Sequence, residues 1–390
     1  MANICDYLRW RGDLSFEERP FNDVDNVILS ALSYLDMAGI VPSAEEAGRV
    51  SVAEACEALM RKSNGDVAPY VRSLAKIDGR FVELLGDSQR FCNAHLRSYC
   101  DITDSALALQ FSAITIELPH AGTYVSFRGT DNTLVGWREN FMLSFEVTEA
   151  QREATRYLER ELSSMCANDL PVRVGGHSKG GNLAEYAALT CNPKLRERIE
   201  RVYSNDGPCM APEVITTSSA EELGNKLRRI VPSYSVVGMI FSREDDKRIV
   251  VASSETGVSQ HDLTSWQVLR DGMDEVPQLQ PECLIVNRTI AALGKGLTLE
   301  ERRRVTNEVF DALEAGGATK LSQIADSPEG LQQVLRALRS TSEDTREVAT
   351  TLVQSIVSSS MRAMRSATRK AFEETTKRLK ASREGQQEQA

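Results

Sequence analysis

Apolar positions along this chain recur first with a helical period, then with a strand period, then with a helical one again. Val27, Ile28, Leu32, Leu35 and Met37 lie at helical spacing between Asp23 and Gly39, which predicts a helix there. Pro42-Ser43 predicts the start of another, because Ser43 and Glu46 make a capping box in which each side chain satisfies a backbone donor of the first turn. Weaker helical patterns continue to about residue 100, so the first quarter reads as mainly α-helical.

The period changes near Ala106. Residues 111–118 alternate apolar and polar, Pro119-His120-Ala121-Gly122 turns the chain, and residues 123–127 form a second alternating run, which together predict a hairpin. Thr148 and Gln151 form a capping box for a helix to about Ala167. Then come a strand at 172–174, a helix to about Thr190, a strand at 199–203, a helical stretch near 219–226 and a strand at 227–231. Residues 236–241 and 248–252 flank a charged turn and read as a second hairpin. Strands alternating with helices from about 110 to 260 predict an α/β fold with a mostly parallel central sheet. In such folds, functional groups gather at the carboxyl ends of the strands. Beyond 284 the pattern is helical again, with Thr298 and Glu301 capping a helix to about 314. The expected organisation is one domain over 1–283, a helical extension over 284–342, and a basic amphipathic helix with a disordered tail over 343–390.

Composition narrows this picture. The 390 residues carry a net charge of −10, which argues against a general nucleic-acid binder. The eight cysteines contain no C-x-x-C pair, so neither a zinc site nor a redox motif is indicated. No basic-then-apolar leader opens the sequence, and no apolar run reaches the ~18 residues of a membrane span. A cytoplasmic protein with reduced thiols is expected. Residues 362–383 reverse the overall charge, with eight basic and two acidic side chains. Such a face is either solvated or suited to an anionic membrane surface or a protein partner; without interleaved aromatics it does not suit nucleic acid.

The candidate chemistry centres on Gly176-His177-Ser178-Lys179-Gly180-Gly181. An alternating strand precedes it and an Ala-rich helical segment follows, which is the context of a nucleophile elbow. The turn is so sharp that small residues must flank the serine, and Gly176 and Gly180 do so.

A serine nucleophile needs a base, and usually a carboxylate to orient that base. The chain has four histidines. Alternation sends His177 to the other face of its strand from the nucleophile. His120 lies at the wrong end of the 123–127 strand, ~17–20 Å from its far end at ~3.3 Å per residue. His95 falls in the helical first quarter. His261 follows all the parallel strands, as the order Ser…Asp/Glu…His requires, and is the expected base. For the acid, Asp206 directly follows the first strand after the elbow helix and is favoured. Asp245 and Asp246, in the charged turn, remain open. The stretch Pro232-Ser233-Tyr234-Ser235, a common acid position, has no carboxylate. Oxyanion stabilisation needs two backbone donors. The Lys179 amide is one, at the positive end of its helix; the Arg128-Gly129-Thr130 loop is the natural source of the other, with the amide and hydroxyl of Thr130 both available.

These segments resemble a known family. Residues 125–130 (VSFRGT), followed by Trp137, are similar to the F-R-G-[ST]…W segment of class-three lipases, and Gly176-His177-Ser178-Lys179-Gly180-Gly181 to their G-H-S-L-G elbow. A more specific resemblance, over about 1–280, is to a bacterial Mbeg-like domain-of-unknown-function family with the α/β-hydrolase fold. It rests on Phe111-Ser112-Ala113-Ile114-Thr115, Phe127-Arg128-Gly129-Thr130-Asp131, Gly136-Trp137-Arg138-Glu139, the elbow with Asn182, Asn205-Asp206-Gly207-Pro208, Gln260-His261-Asp262 and Trp266. Asp6-Tyr7-Leu8 and Asn22-Asp23-Val24-Asp25 fit it too. The resemblance implies an α/β-hydrolase with Ser178 as nucleophile, His261 as base and Thr130 in the oxyanion hole. Where class-three lipases carry their acid in a D-x-V-P-like segment, this chain offers Ser235, which directs the acid towards Asp206. The resulting expectation is a serine hydrolase of a carboxylic ester, lipid or acyl, needing no metal or organic cofactor. The competing expectation is a non-catalytic binding module on a hydrolase scaffold.

Overall fold

The computed structural model describes residues 2–346 except 74, 105–108, 131–133, 166–170, 212, 217–220, 244–245, 282, 284–296, 319–327, 339–340 and 342–344. The N-terminal part holds helices α1 (Ile4–Arg11) and α2 (Asp23–Leu32), the short strand β1 (Val50–Ser51), and helices α3 (Val52–Lys62) and α4 (Gly79–Asp87). Asn3, Asn22 and Ser51 close capping boxes on α1, α2 and α3. Each offers a side-chain oxygen to amides that have no partner inside the helix. Next come strands β2 (His95–Asp104), β3 (Leu109–Leu118) and β4 (Gly122–Phe127), then helices α5 (Leu134–Met142) and α6 (Glu149–Ser164). Strand β5 (Val172–His177), helices α7 (Lys179–Thr190) and α8 (Pro193–Arg196), and strands β6 (Ile199–Asn205), β7 (Leu227–Pro232) and β8 (Ile249–Val251) follow. Helices α9 (Leu299–Glu314) and α10 (Pro328–Leu338) close the described part.

The strands form one sheet in sequence order, β1 to β8. Pairings from β1 to β4 are antiparallel and those from β4 to β8 parallel. Strand alternation divides the core into layers. Ile116, Tyr124 and Ile230 face Ile28 and Leu32 of α2. Val125 and Val174 face Leu158 of α6 and Leu183 and Ala184 of α7. A third cluster joins Val309 and Phe310 of α9 to Leu134 and to Val236, Val237 and Ile240. Among the described residues no helix is long and apolar enough to cross a membrane.

The sheet is mostly parallel and the fold is α/β, as expected, and the hairpin over 111–127 forms as β3 and β4. Three readings are corrected. His95 is not in a helical region but opens strand β2; a register shift between Arg97 and Cys100 breaks the alternation that would have marked it. Ser43 and Glu46 exchange both capping-box bonds, yet only a turn follows, and Ala47 takes a positive φ of 46°. The hairpin over 236–252 does not form. Val237–Met239 is a 3-10 turn, and β8 pairs in parallel with β7. Asp245, most of the 284–342 extension before α9, and the basic segment from 347 onward lie outside the described residues.

Candidate active site

Strand β5 ends at His177 and helix α7 begins at Lys179, so Ser178 alone makes the turn between them. Its backbone sits at φ 57° and ψ −128°, a conformation that costs a non-glycine residue about 1–3 kcal/mol. The surroundings hold it there. The Ser178 amide donates to Asn205 O at 2.9 Å, and the Gly181 amide donates to Ser178 O at 2.9 Å. A Cβ on Gly180 would lie 2.1 Å from the Phe127 carbonyl oxygen, so only glycine lets the end of β4 close on the first turn of α7.

Asp206 lies beside the elbow for a topological reason. His177 and Asn205 are register partners at the ends of the parallel strands β5 and β6, so the residues after them emerge together at the carboxyl edge. Asp206 turns the chain with φ 48°, a region Asp tolerates better than most side chains, and its carboxylate is fully buried. Oδ1 accepts from Ser235 Oγ at 2.5 Å and from the Gly238 amide at 3.1 Å. Oδ2 meets His261 Nδ1 at 2.6 Å. A carboxylate only accepts, so Nδ1 of a neutral His261 carries the proton and Nε2 bears the lone pair. His261 ends a short 3-10 turn, Gly257–His261. The fully buried Trp266 fixes that turn by donating Nε1–H to Gln260 O at 2.8 Å.

His177 packs against the back of this pair. Its ring lies 4.6 Å from that of His261, centroid to centroid. His177 Nε2 donates to the His261 carbonyl at 2.8 Å, and Tyr34, just beyond α2, donates its hydroxyl to His177 Nδ1 at 2.8 Å. One proton therefore sits on Nε2. Burial, with His261 close by, holds the His177 pKa well below the ordinary histidine range. Alternation sends this side chain to the other face of its strand, yet its ring packs against that of His261 and braces the loop that carries it. Tyr34 has no signal in the sequence beyond the helical period in which it sits.

On the other side of the elbow, Arg128 ties the loop after β4 to Asp101 through two bonds of 2.7 and 2.8 Å. Thr130, two residues on, is buried. Lys179 is 1% exposed, and its Nζ donates to Gln110 O at 2.7 Å and to Glu139 Oε2 at 2.8 Å. Gln151 Nε2 donates to Asn182 Oδ1 at 2.9 Å, and Asn182 Nδ2 donates to Pro208 O at 2.9 Å, which ties α6, α7 and the chain after Asp206 together.

The remaining candidates lie elsewhere. His120 is in the β3–β4 turn, exposed beside Glu17, and His95 pairs with Glu117 in the sheet. Asp246 is buried rather than solvated. It accepts from the Arg243 amide at 2.8 Å and lies 3.5 Å from Arg229, engaged with these cations and not with His261.

The family model for Mbeg1-like proteins matches residues 85–311. This chain belongs to the Mbeg1-like family. The matched segment starts inside α4 and ends inside α9, and contains Thr130, Ser178, Asp206 and His261. It begins later than the resemblance over 1–280 and runs further, so Tyr34 reaches the site from outside the Mbeg1-like segment. Among solved structures, a crystal structure of M37 lipase is similar at 15% identity and a TM-score of 0.35, over 56% of this chain and 74% of that one. A comparison with curated proteins finds no match.

Proposed function

We propose that this Mbeg1-like protein is a serine hydrolase that cleaves carboxylic esters, lipid or acyl, through an acyl-enzyme on Ser178. The observation that carries the reading is the 2.6 Å contact between Asp206 and His261 Nδ1, set at the strand edge from which the Ser178 elbow rises. His261 Nε2 takes the proton as Ser178 Oγ attacks the acyl carbon, then returns it to the leaving alcohol. Asp206 holds the imidazole in the right tautomer and stabilises the imidazolium. The backbone amides of Lys179 and Thr130 stabilise the oxyanion, the first assisted by the helix dipole of α7. Water, activated by His261, then releases the acid. Ser235 contributes a hydrogen bond to the Asp206 carboxylate where class-three lipases place their own acid, so the missing carboxylate in that stretch does not favour a non-catalytic module. The test is activity-based labelling. A fluorophosphonate should attach to Ser178, and turnover of p-nitrophenyl butyrate should fall at least ~10³-fold in Ser178→Ala. A folded wild-type protein that neither labels nor hydrolyses short and medium p-nitrophenyl esters would sink the reading.

A further inference from the structure

Lys179 breaks a local rule. A cation in the first turn of a helix opposes the helix dipole, and a buried ammonium is costly unless it is paired. Lys179 is nonetheless 1% exposed at the first position of α7. Its Nζ reaches out of that helix to Gln110 O in β3 and to Glu139 Oε2 in α5. Helix α5 begins four residues after Thr130, so Glu139 lies on the element that follows Thr130 in the chain. Arg128 and Asp101 hold the segment just before Thr130. The neighbouring Arg138 binds Asp311 of α9 at 2.7 Å, which fixes α5 from outside. The other Glu139 oxygen, Oε1, is buried and has no hydrogen-bond partner among the described residues, so among them Lys179 is the one group that the carboxylate engages.

We infer that Lys179 is a positioning residue for the oxyanion hole, and that the Lys179–Glu139 ion pair sets the register between its two donors. The inference rests on the hydrolase reading above. Lys179 supplies one donor from its own backbone, while its side chain holds the helix whose preceding loop supplies the other. A hydrophobic pair of similar volume would pack α5 against α7 but would not fix their axial register, because apolar contacts are not directional. The effect belongs to the transition state, when the carbonyl oxygen moves into the hole, and not to ground-state binding.

The test compares full-length wild type with Lys179→Met, Glu139→Gln and Lys179→Arg. All keep the backbone amide at 179. The readouts are the rate of fluorophosphonate labelling at Ser178, kcat and KM on p-nitrophenyl butyrate, and the thermal midpoint. Lys179→Met and Glu139→Gln should label and turn over about 10–100-fold more slowly, as expected for a small misplacement of a donor. KM should be nearly unchanged, and Lys179→Arg should recover most of the rate. Should a single variant fail to fold, the double variant Lys179→Met/Glu139→Leu restores an apolar contact, and it should fold yet remain slow. Any folded variant lacking the pair that labels at the wild-type rate overturns the inference, as does a loss confined to KM. A wild type that does not label overturns the hydrolase reading and this inference with it, whereas labelling at equal rates in wild type and variants overturns the inference alone.

Discussion

Asp25 and Asp206 are both fully buried carboxylates, one in the N-terminal helical layer and one at the carboxyl edge of the sheet. Asp25 is gripped by Arg90 through bonds of 2.7 and 2.6 Å. The same guanidinium donates to the carbonyls of Leu14, Ser15 and Arg19 and lies 4.0 Å from the Phe16 ring centroid. Asp206 is gripped as closely, by Ser235, the Gly238 amide and His261. Burial and hydrogen-bond supply are alike; the partner's proton is not. A guanidinium keeps its charge throughout the pH range in which proteins stay folded, so the Asp25 pair can only hold chain together. An imidazole has one form that accepts a proton and another that donates it, so the Asp206 pair is equipped to move one.

Exchanging each carboxylate for its amide should separate the two roles. Asp206→Asn should lower kcat on p-nitrophenyl butyrate by about 10³–10⁴-fold with a modest change in the urea midpoint. Asp25→Asn should do the reverse. It leaves Arg90 as an uncompensated buried charge and should cost about 3–5 kcal/mol of stability, while turnover per folded molecule stays near wild type. If Asp25→Asn slows turnover as much as Asp206→Asn does, the division between the regions fails. A smaller effect joins them. Tyr34→Phe removes the hydroxyl that donates to His177 Nδ1 and should cost about 1–3 kcal/mol in urea denaturation, because the nitrogen stays buried without its donor.

The smallest effect is one of pH. Folded His177 stays neutral well below its ordinary value of 6.5, whereas in the unfolded chain it protonates as pH falls through about 6.5. The folded pKa is the lower one. This contribution is therefore complete above about pH 6.5 and is lost as pH falls below it, with a slope of up to about 1.4 kcal/mol per pH unit. Urea midpoints between pH 7.5 and 5 should show that slope in wild type and a flatter one in His177→Gln. Equal slopes would mean that His177 takes up a proton in the folded state.

Much of this arrangement was legible in the sequence where local chemistry and tertiary need agree. The glycines around Ser178 announce the elbow because the close approach of Phe127 O to Gly180 requires them, and Asp206 could be favoured because it ends a strand. Legibility failed where a distant contact overrides local propensity. Residues 236–241 are apolar and β-prone, but Gly238 must give its amide to Asp206, and a Cβ there would lie 2.4 Å from Asp206 Oδ1. The segment therefore curls into a 3-10 turn instead of pairing. Strand β2 was hidden by its own bulge, where Ser98 takes φ 54° and shifts the alternation. The bonds of Tyr34 and Glu139 cross 143 residues to His177 and 40 residues to Lys179, and no local pattern announces such partners.

The fastening of α2 to β6 bears on how the molecule is made. Asn26 donates to Asn205 Oδ1 at 2.8 Å and accepts from Asn205 Nδ2 at 3.0 Å, and the two residues are 179 positions apart. Asn205 also donates to Ser30 Oγ at 3.0 Å. During synthesis α2 is made long before these partners exist, so its buried polar side chains wait for a further 179 residues to appear. Closing so long a loop is entropically costly and comes late in folding. Asp206 is the residue after Asn205, so the step that completes the amide pairing also seats the carboxylate beside Ser178. A nascent or partly folded chain thus holds Ser178 without the proposed acid beside it, and the site is assembled only when the two segments that carry Asn26 and Asn205 have met.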